Sequence, residues 1–333
     1  MTTSAIFPTA RPEDLHLDPS VLNGPLFNLL SKTNTGAAAL VVQGKLVWEA
    51  YWNGATPTSR FDTYSIGKAY AAACIGLLYD DGKLGIDDPA CKFLPEWAGD
   101  GRKEITLRHL LTMTSGLKLD YPAFTQHPEP TVAALSWPLE YKPGTVWSYE
   151  QATAHALCPI IVRLSGKQPF DFLHERILCP IGANETDWLR AKNGDCLGWR
   201  SALCSARDLA RFGQLLLQKG KWDGKQLISE RFVAQATSHD PLTERCVIEK
   251  TQQDDRRRNW GWMMFVNAGG WWEGVGRNCF APRGAHDNKC LVDPNRQFVF
   301  TRLSTPEGVD HANYQVALDT GLVWRTVLSA FKR

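Results

Sequence analysis

Strand-like patterning is confined to the two ends of this chain, and that distribution limits the folds open to it. Residues 36–52 read as two short strands joined at Gly44-Lys45. From about Asn259 the chain becomes strand-like again, with candidates at Trp262–Val266, Lys289–Val292 and Gln297–Leu303 and a hairpin turn at Asp293-Pro-Asn-Arg296. Residues 66–204 read as mainly helical, with helices near Leu107–Met113, Ala152–Ser165 and Pro169–Cys179. Further helices are expected at Pro19–Lys32, Ser205–Lys219 and Tyr314–Phe331; in Ser205–Lys219 the apolar residues recur at helical spacing. Strands from both ends can shield their edges by pairing with one another. The expected architecture is therefore a sheet built from the two termini, with a helical domain inserted in its middle. The expected domains are 1–64 with 205–333, and 65–204. At 333 residues and 44% apolar content, the chain can bury a sizeable core as one large domain or two intimate ones.

The residues most suggestive of chemistry lie in Phe61-Asp-Thr-Tyr-Ser-Ile-Gly-Lys-Ala-Tyr70. Ser65 precedes Lys68 by three positions at the mouth of an Ala-rich helical run, Ala69–Leu78, so the hydroxyl and the amine share a helical face. A serine needs a base to become nucleophilic. A lysine becomes a base when desolvation or positive potential disfavours its ammonium form, and the first turn of a helix supplies such potential. Ser65 also suits a helix N-cap, and the local pattern leaves both roles open. A second Ser-x-x-Lys, Ser115-Gly-Leu-Lys118, is interrupted by Gly116 and reads as a turn.

Other chemistries find little support. A net charge of +2 gives no basis for a nucleic-acid or membrane-surface partner. The basic run Arg256–Arg258, after Asp254-Asp255, reads as a solvated loop. No segment reaches the ~20 apolar residues of a membrane span, and Met1–Arg11 lacks an apolar stretch of signal-peptide length. The nine cysteines are odd in number and contain no C-x-x-C pair, which suits reduced thiols in the cytoplasm better than a disulfide framework or zinc site. There is no G-x-S-x-G elbow, phosphate loop, dinucleotide fingerprint or H-E-x-x-H, and no cofactor or metal is expected. Asp80-Asp81 and Asp87-Asp88 read as caps and turns, and His286 as a polar structural residue in a Gly-containing loop. Some of the thirteen tryptophans, notably those in the stretch 260–272, are candidates to wall an apolar cleft.

Several segments together resemble the serine β-lactamases and penicillin-binding proteins, in particular their class C-like esterase and amidase branch, which includes nylon-oligomer hydrolases. They are Tyr64-Ser-Ile-Gly-Lys68 with Leu77–Pro89, Ile105–Leu117, Lys142-Pro-Gly-Thr-Val-Trp-Ser-Tyr149, Leu203–Leu217, and Gly284 through Pro294 with the strand Phe298–Leu303. They occur in the family's order across roughly residues 35–325. The resemblance implies an α+β fold, an antiparallel sheet flanked by helices with an inserted all-α domain beside it, and an active site at their junction. It also implies Ser65 as nucleophile and Lys68 as its activator. Tyr149 falls at the tyrosine of the family's Tyr-x-Asn motif and would shuttle a proton between Ser65 and the leaving group. Two positions depart from the family's pattern. Gln151 replaces the motif's asparagine, and could contact substrate. The later Lys-Thr-Gly or His-x-Gly motif is absent as written, and its register falls near Ala281-Pro-Arg-Gly284. There Arg283 would supply positive charge. The backbone N–H of Gly284 or Ala285, with His286 nearby, would complete an oxyanion hole with that of Ser65.

The function expected is an intracellular serine hydrolase that cleaves an amide or ester of a small molecule through an acyl-enzyme on Ser65. An acyltransferase or a lactam- or lactone-forming cyclase would use the same acyl-serine, and a non-catalytic ligand-binding member of the fold is the alternative outside enzymology.

Overall fold

The computed structural model describes residues 7–252, 255–305 and 320–332. Its main sheet draws strands from both ends of the chain. In chain order these are β1 (Thr35–Val42), β2 (Lys45–Tyr51), β3 (Phe265–Val266), β4 (Phe280–Ala281), β5 (Arg283–Gly284), β6 (Asn288–Asp293) and β7 (Phe298–Ser304). The order across the sheet is β3-β4-β6-β7-β1-β2, with β5 beside β6, and every pairing is antiparallel. The N-terminal hairpin turns at Gln43 and Gly44, whose φ angles of 51° and 76° match the twist of the flanking strands.

Both faces of the sheet are covered, which is why β1 is buried at all eight of its positions rather than at alternate ones. The helices that matter most are α1 (Gly67–Asp80), α2 (Leu107–Leu111), α3 (Gln151–His155), α4 (Leu157–Ser165), α5 (Ala206–Leu217) and α6 (Thr320–Ser329). Ser205 caps α5 by accepting from the Asp208 N–H. Helix α5 lies on one face, where the Thr301 hydroxyl donates to Ala206 O at 3.0 Å. On the other face, Trp324 of α6 meets Phe298 edge-on at 6.4 Å. Residues 298 and 301 differ in parity, as strand alternation requires for opposite faces.

Helix α1 is buried from Gly67 through Leu78. It therefore reads as apolar nearly all round. Its alanines let neighbouring helices approach, and its Tyr70 packs edge-on against Phe212 of α5 at 4.6 Å.

The structure departs from the sequence expectations in several places. Only Phe265–Val266 of the expected strand Trp262–Val266 is extended. Met263 turns the chain at φ 60°, and the Trp262 indole N–H donates to the Asp240 carboxylate at 3.0 Å. The expected helix Pro19–Lys32 widens at Leu22–Leu26, where Pro25 has no N–H to give. Ala152–Ser165 is two helices meeting at Ala156, and Pro169–Cys179 widens after Leu173. Of Tyr314–Phe331, the part 314–319 lies outside the described residues. A three-stranded antiparallel sheet of Phe61–Asp62, Ala202–Cys204 and Asp187–Trp188 was not expected from the sequence.

Gly213 allows α5 to sit close on the sheet. A Cβ there would lie 2.5 Å from Cys290 Sγ and 2.6 Å from Val299 Cγ1. In an open helix, Gly→Ala gains roughly 0.5–1 kcal/mol, whereas overpacking a filled core costs about 1–3 kcal/mol. Gly213→Ala should therefore lower the melting temperature; an increase would show that α5 is free to lift off the sheet.

Candidate active site

The small three-stranded sheet fixes the turn that carries Ser65. Thr63 donates to Ala202 O from its backbone N–H at 2.9 Å and from its hydroxyl at 2.6 Å. The Tyr64 N–H donates to the Asp62 carboxylate at 2.8 Å, and Tyr64 O accepts from the Ser201 N–H at 2.9 Å. These bonds hold Tyr64 at φ 51°, a left-handed conformation costly for a bulky residue. The chain then enters α1 directly. Gly67 is needed at its start because a Cβ there would lie 3.0 Å from Arg200 O.

Ser65 and Lys68 meet at this helix start, with Lys68 Nζ 3.2 Å from Ser65 Oγ. Lys68 is completely buried. It also donates to two carbonyl oxygens, Trp199 O at 2.6 Å and Gln151 Oε1 at 2.8 Å, with Tyr149 beside it. Carbonyl oxygens only accept hydrogen bonds. A neutral amine has two N–H groups for these two acceptors and one lone pair left to receive the Ser65 hydroxyl proton. Burial pushes the Lys68 pKa below its ordinary value, with Tyr149 and Glu150 acting in the opposite sense. Burial therefore weakens the ammonium form beside the serine, and once neutral the amine has a lone pair that can take the Ser65 hydroxyl proton.

Tyr149 and Gln151 flank Glu150, the N-cap of α3, whose carboxylate accepts from the Thr153 N–H at 2.7 Å. The Tyr149 ring centroid lies 4.7 Å from Lys68 Nζ, and Tyr149 lines the same cavity as Ser65. Gln151 is buried, and its side chain turns to Lys68 instead of the cavity; the stem longer than asparagine's reaches the amine. Burial raises the Glu150 pKa to about 7. Among the described residues, one of its oxygens has no hydrogen-bond partner.

Arg283, Gly284, Ala285 and His286 form the opposite wall of a cavity of about 360 Å³ that opens onto Ser65. Strand β5 approaches so closely that a Cβ on Gly284 would lie 1.9 Å from Thr63 O and 3.2 Å from Ser65 N. The His286 ring lies tilted against that of Tyr64, centroids 4.7 Å apart, and His286 has a φ of 57°; Asp287 follows at φ 66°. The Asp287 carboxylate is paired with the buried Lys289 at 2.5 Å and with Arg302 at 3.6 Å. Arg302 also donates to His286 O at 2.9 Å, which holds the left-handed pair in place.

The second Ser-x-x-Lys is not a comparable unit. The Ser115 hydroxyl lies 2.6 Å from that of Thr153, and Lys118 reaches out to Asp120 at 3.3 Å. Asp87 pairs with Arg108 and Asp81 with Arg176, while Asp88 accepts from the Gly85 N–H. Sequence reasoning missed Trp199 O, since a backbone carbonyl leaves no mark in residue type. It also assigned Arg256 to a solvated loop, yet Arg256 lines the cavity.

The profile of the beta-lactamase family matches residues 28–319. The chain belongs to the beta-lactamase family. A 6-aminohexanoate-dimer hydrolase from Paenarthrobacter ureafaciens is 21% identical over 301 residues, covering 83% of this chain and 74% of that protein. A putative beta-lactamase from Bacteroides dorei superposes with a TM-score of 0.79 at 18% identity, over 95% of this chain and all of that one. A putative 6-aminohexanoate-dimer hydrolase from Bacillus anthracis gives 0.73 at 20% identity, over 98% and 86%. These structures share the α+β fold of this beta-lactamase-family chain, in which an antiparallel sheet is flanked by helices. Among the described residues, no helix is long and apolar enough to cross a membrane.

The Gly284 contact generates a direct test. In Gly284→Ala the new methyl meets backbone, which cannot swing away, so β5 must retreat from Ser65. If β5 supplies an oxyanion donor, acylation of Ser65 by a fluorophosphonate should slow by on the order of 100-fold, with circular dichroism unchanged.

Proposed function

We propose that this protein is a serine hydrolase that cleaves an amide or ester bond of a small molecule through an acyl-enzyme on Ser65. The observation that carries the reading is the buried Lys68, anchored by Trp199 O and Gln151 Oε1 with its Nζ 3.2 Å from Ser65 Oγ. As Ser65 Oγ bonds to the substrate carbonyl carbon, its proton passes to Lys68 Nζ. The Ser65 N–H and a backbone N–H of the Gly284–Ala285 segment receive the oxyanion. Tyr149 then relays the proton to the departing amine or alcohol as the carbon–heteroatom bond breaks. A water molecule, deprotonated by the same relay, attacks the acyl-serine and releases the acid with Ser65 restored.

The positive potential at the start of α1 favours the alkoxide that develops on Ser65. The similarity to a protein named a 6-aminohexanoate-dimer hydrolase supports hydrolysis and, because two amino acids join through an amide, an amide substrate. The cytoplasm is the setting we propose, on the support of nine free cysteines, seven of them buried.

A fluorophosphonate should label the wild-type protein at Ser65, located by peptide mass spectrometry, and leave Ser65→Ala unlabelled. Lys68→Ala and Tyr149→Phe should each slow turnover of an activated ester by at least ~100-fold. Absent labelling together with no burst of product would refute the acyl-serine mechanism, and near-normal turnover in either variant would remove that residue from it.

A further inference from the structure

The two walls of the cavity press together at Gly284, which meets Thr63 O so closely that no Cβ fits between them. That contact limits how near β5 can come to the Ser65 turn, but a steric contact cannot stop β5 from moving away. A buried amide does that. Asn288, the first residue of β6, is wholly buried. Its side-chain nitrogen donates to Asp62 O at 3.2 Å and to Ala285 O at 2.7 Å. Its side-chain oxygen accepts from the Ser304 N–H of β7 at 2.9 Å and from the Ser304 hydroxyl at 3.3 Å. One amide thus joins the strand before Ser65, the segment after Gly284 and the centre of the main sheet.

The partners decide which end of the amide is which. Asp62 O and Ala285 O are carbonyl oxygens that only accept, and the Ser304 N–H only donates. A carboxylate in this place would bring no donor, and a hydroxyl only one. The grip on both sides is double. Ala285 O also accepts the backbone N–H of Asn288. Asp62 in turn takes the Tyr64 N–H on its carboxylate at 2.8 Å, so the bridge ends on the turn that presents Ser65.

We propose that Asn288 is the positioning residue of the oxyanion hole, holding the backbone N–H groups of Ser65 and of the Gly284–Ala285 segment at one fixed separation. Gly284 sets the lower limit of that separation and Asn288 the upper. Donors fixed before the reaction need no rearrangement as the oxyanion forms, which is the source of their effect on rate. This deepens the acyl-serine reading and rests on it. Asn288 acts through the backbone on either side of it.

The test compares 4-nitrophenyl acetate with its thionoester, in which sulfur replaces the carbonyl oxygen that becomes the oxyanion. Sulfur is larger and a weaker acceptor, so a rigid pair of donors discriminates against it. The wild-type protein should prefer the oxygen ester in kcat/KM by on the order of 100-fold. Asn288→Asp keeps the size and the acceptor for Ser304 but has no N–H for Asp62 O or Ala285 O. It should lower that preference by on the order of tenfold or more, and Asn288→Ala, which adds no charge, should do the same. A merely structural role would slow both esters alike and leave the ratio as it was. An unchanged ratio in both variants, or no preference in the wild-type protein, would overturn the proposal. Amide exchange followed by mass spectrometry separates this proposal from the hydrolase reading. In a Ser65→Ala background, adding Asn288→Ala should speed exchange in both 61–66 and 283–287 by on the order of tenfold. That joint rise would uphold the bridge even if Ser65 never acylates. Exchange unchanged in either segment would refute it even if Ser65 acylates readily.

Discussion

The site is organised around one energetic constraint: a lysine amine held wholly out of water. An ammonium group in that position loses its hydration, and two carbonyl oxygens restore only part of it. Releasing the proton removes most of the cost and leaves a lone pair where Ser65 presents its hydroxyl. The same burial that disfavours the charge therefore creates the base. Glu150 works against this, since its carboxylate would favour the ammonium form, but burial raises its own pKa to about 7 and weakens that pull at lower pH. Tyr149 and Gln151 on either side of Glu150 both face Lys68, so the cap of one short helix sets the electrostatics of the amine.

Reactivity also needs a second wall, and the far end of the chain supplies it. Strand β5 brings Gly284 against the turn before Ser65, a distance open only to a residue without a side chain. The segment that follows is kept in two consecutive left-handed residues by Asp287, which pairs with both Lys289 and Arg302. Strain at His286 and Asp287 is thus balanced by buried ion pairs behind the wall, and Arg256 and Arg283 are among the residues that line the cavity between the two walls.

Much of this was legible in the sequence, for identifiable reasons. The hairpin at 35–51 and the pair β6–β7 announce themselves through continuous apolar runs with polar turns between them, and their places at opposite ends of the chain foretell a shared sheet. The closeness of Ser65 and Lys68 is local, set by helical spacing alone. What escaped notice was non-local or carried by backbone. The three-stranded sheet that fixes Tyr64 and Ser65 uses strands of two and three residues, too short for a periodic signal. Trp199 contributes a carbonyl, which any residue would bring. Arg256 sits in a run with Arg257 and Arg258, which pair with neighbouring carboxylates, so composition could not single it out as a residue of the cavity. The strand expected at 262–266 failed because Trp262 finds its hydrogen-bond partner in Asp240 and bends the chain toward it.

The account stands on Lys68 being neutral beside Ser65 in the folded protein, and the pH dependence of Ser65 modification measures that directly. The rate constant for inactivation by a neutral fluorophosphonate, followed from pH 5 to 10, should rise through a midpoint well below the ordinary lysine value of 10.5. That rise should vanish in Lys68→Met. A rate that does not change with pH, or a rise that survives the loss of Lys68, would contradict it.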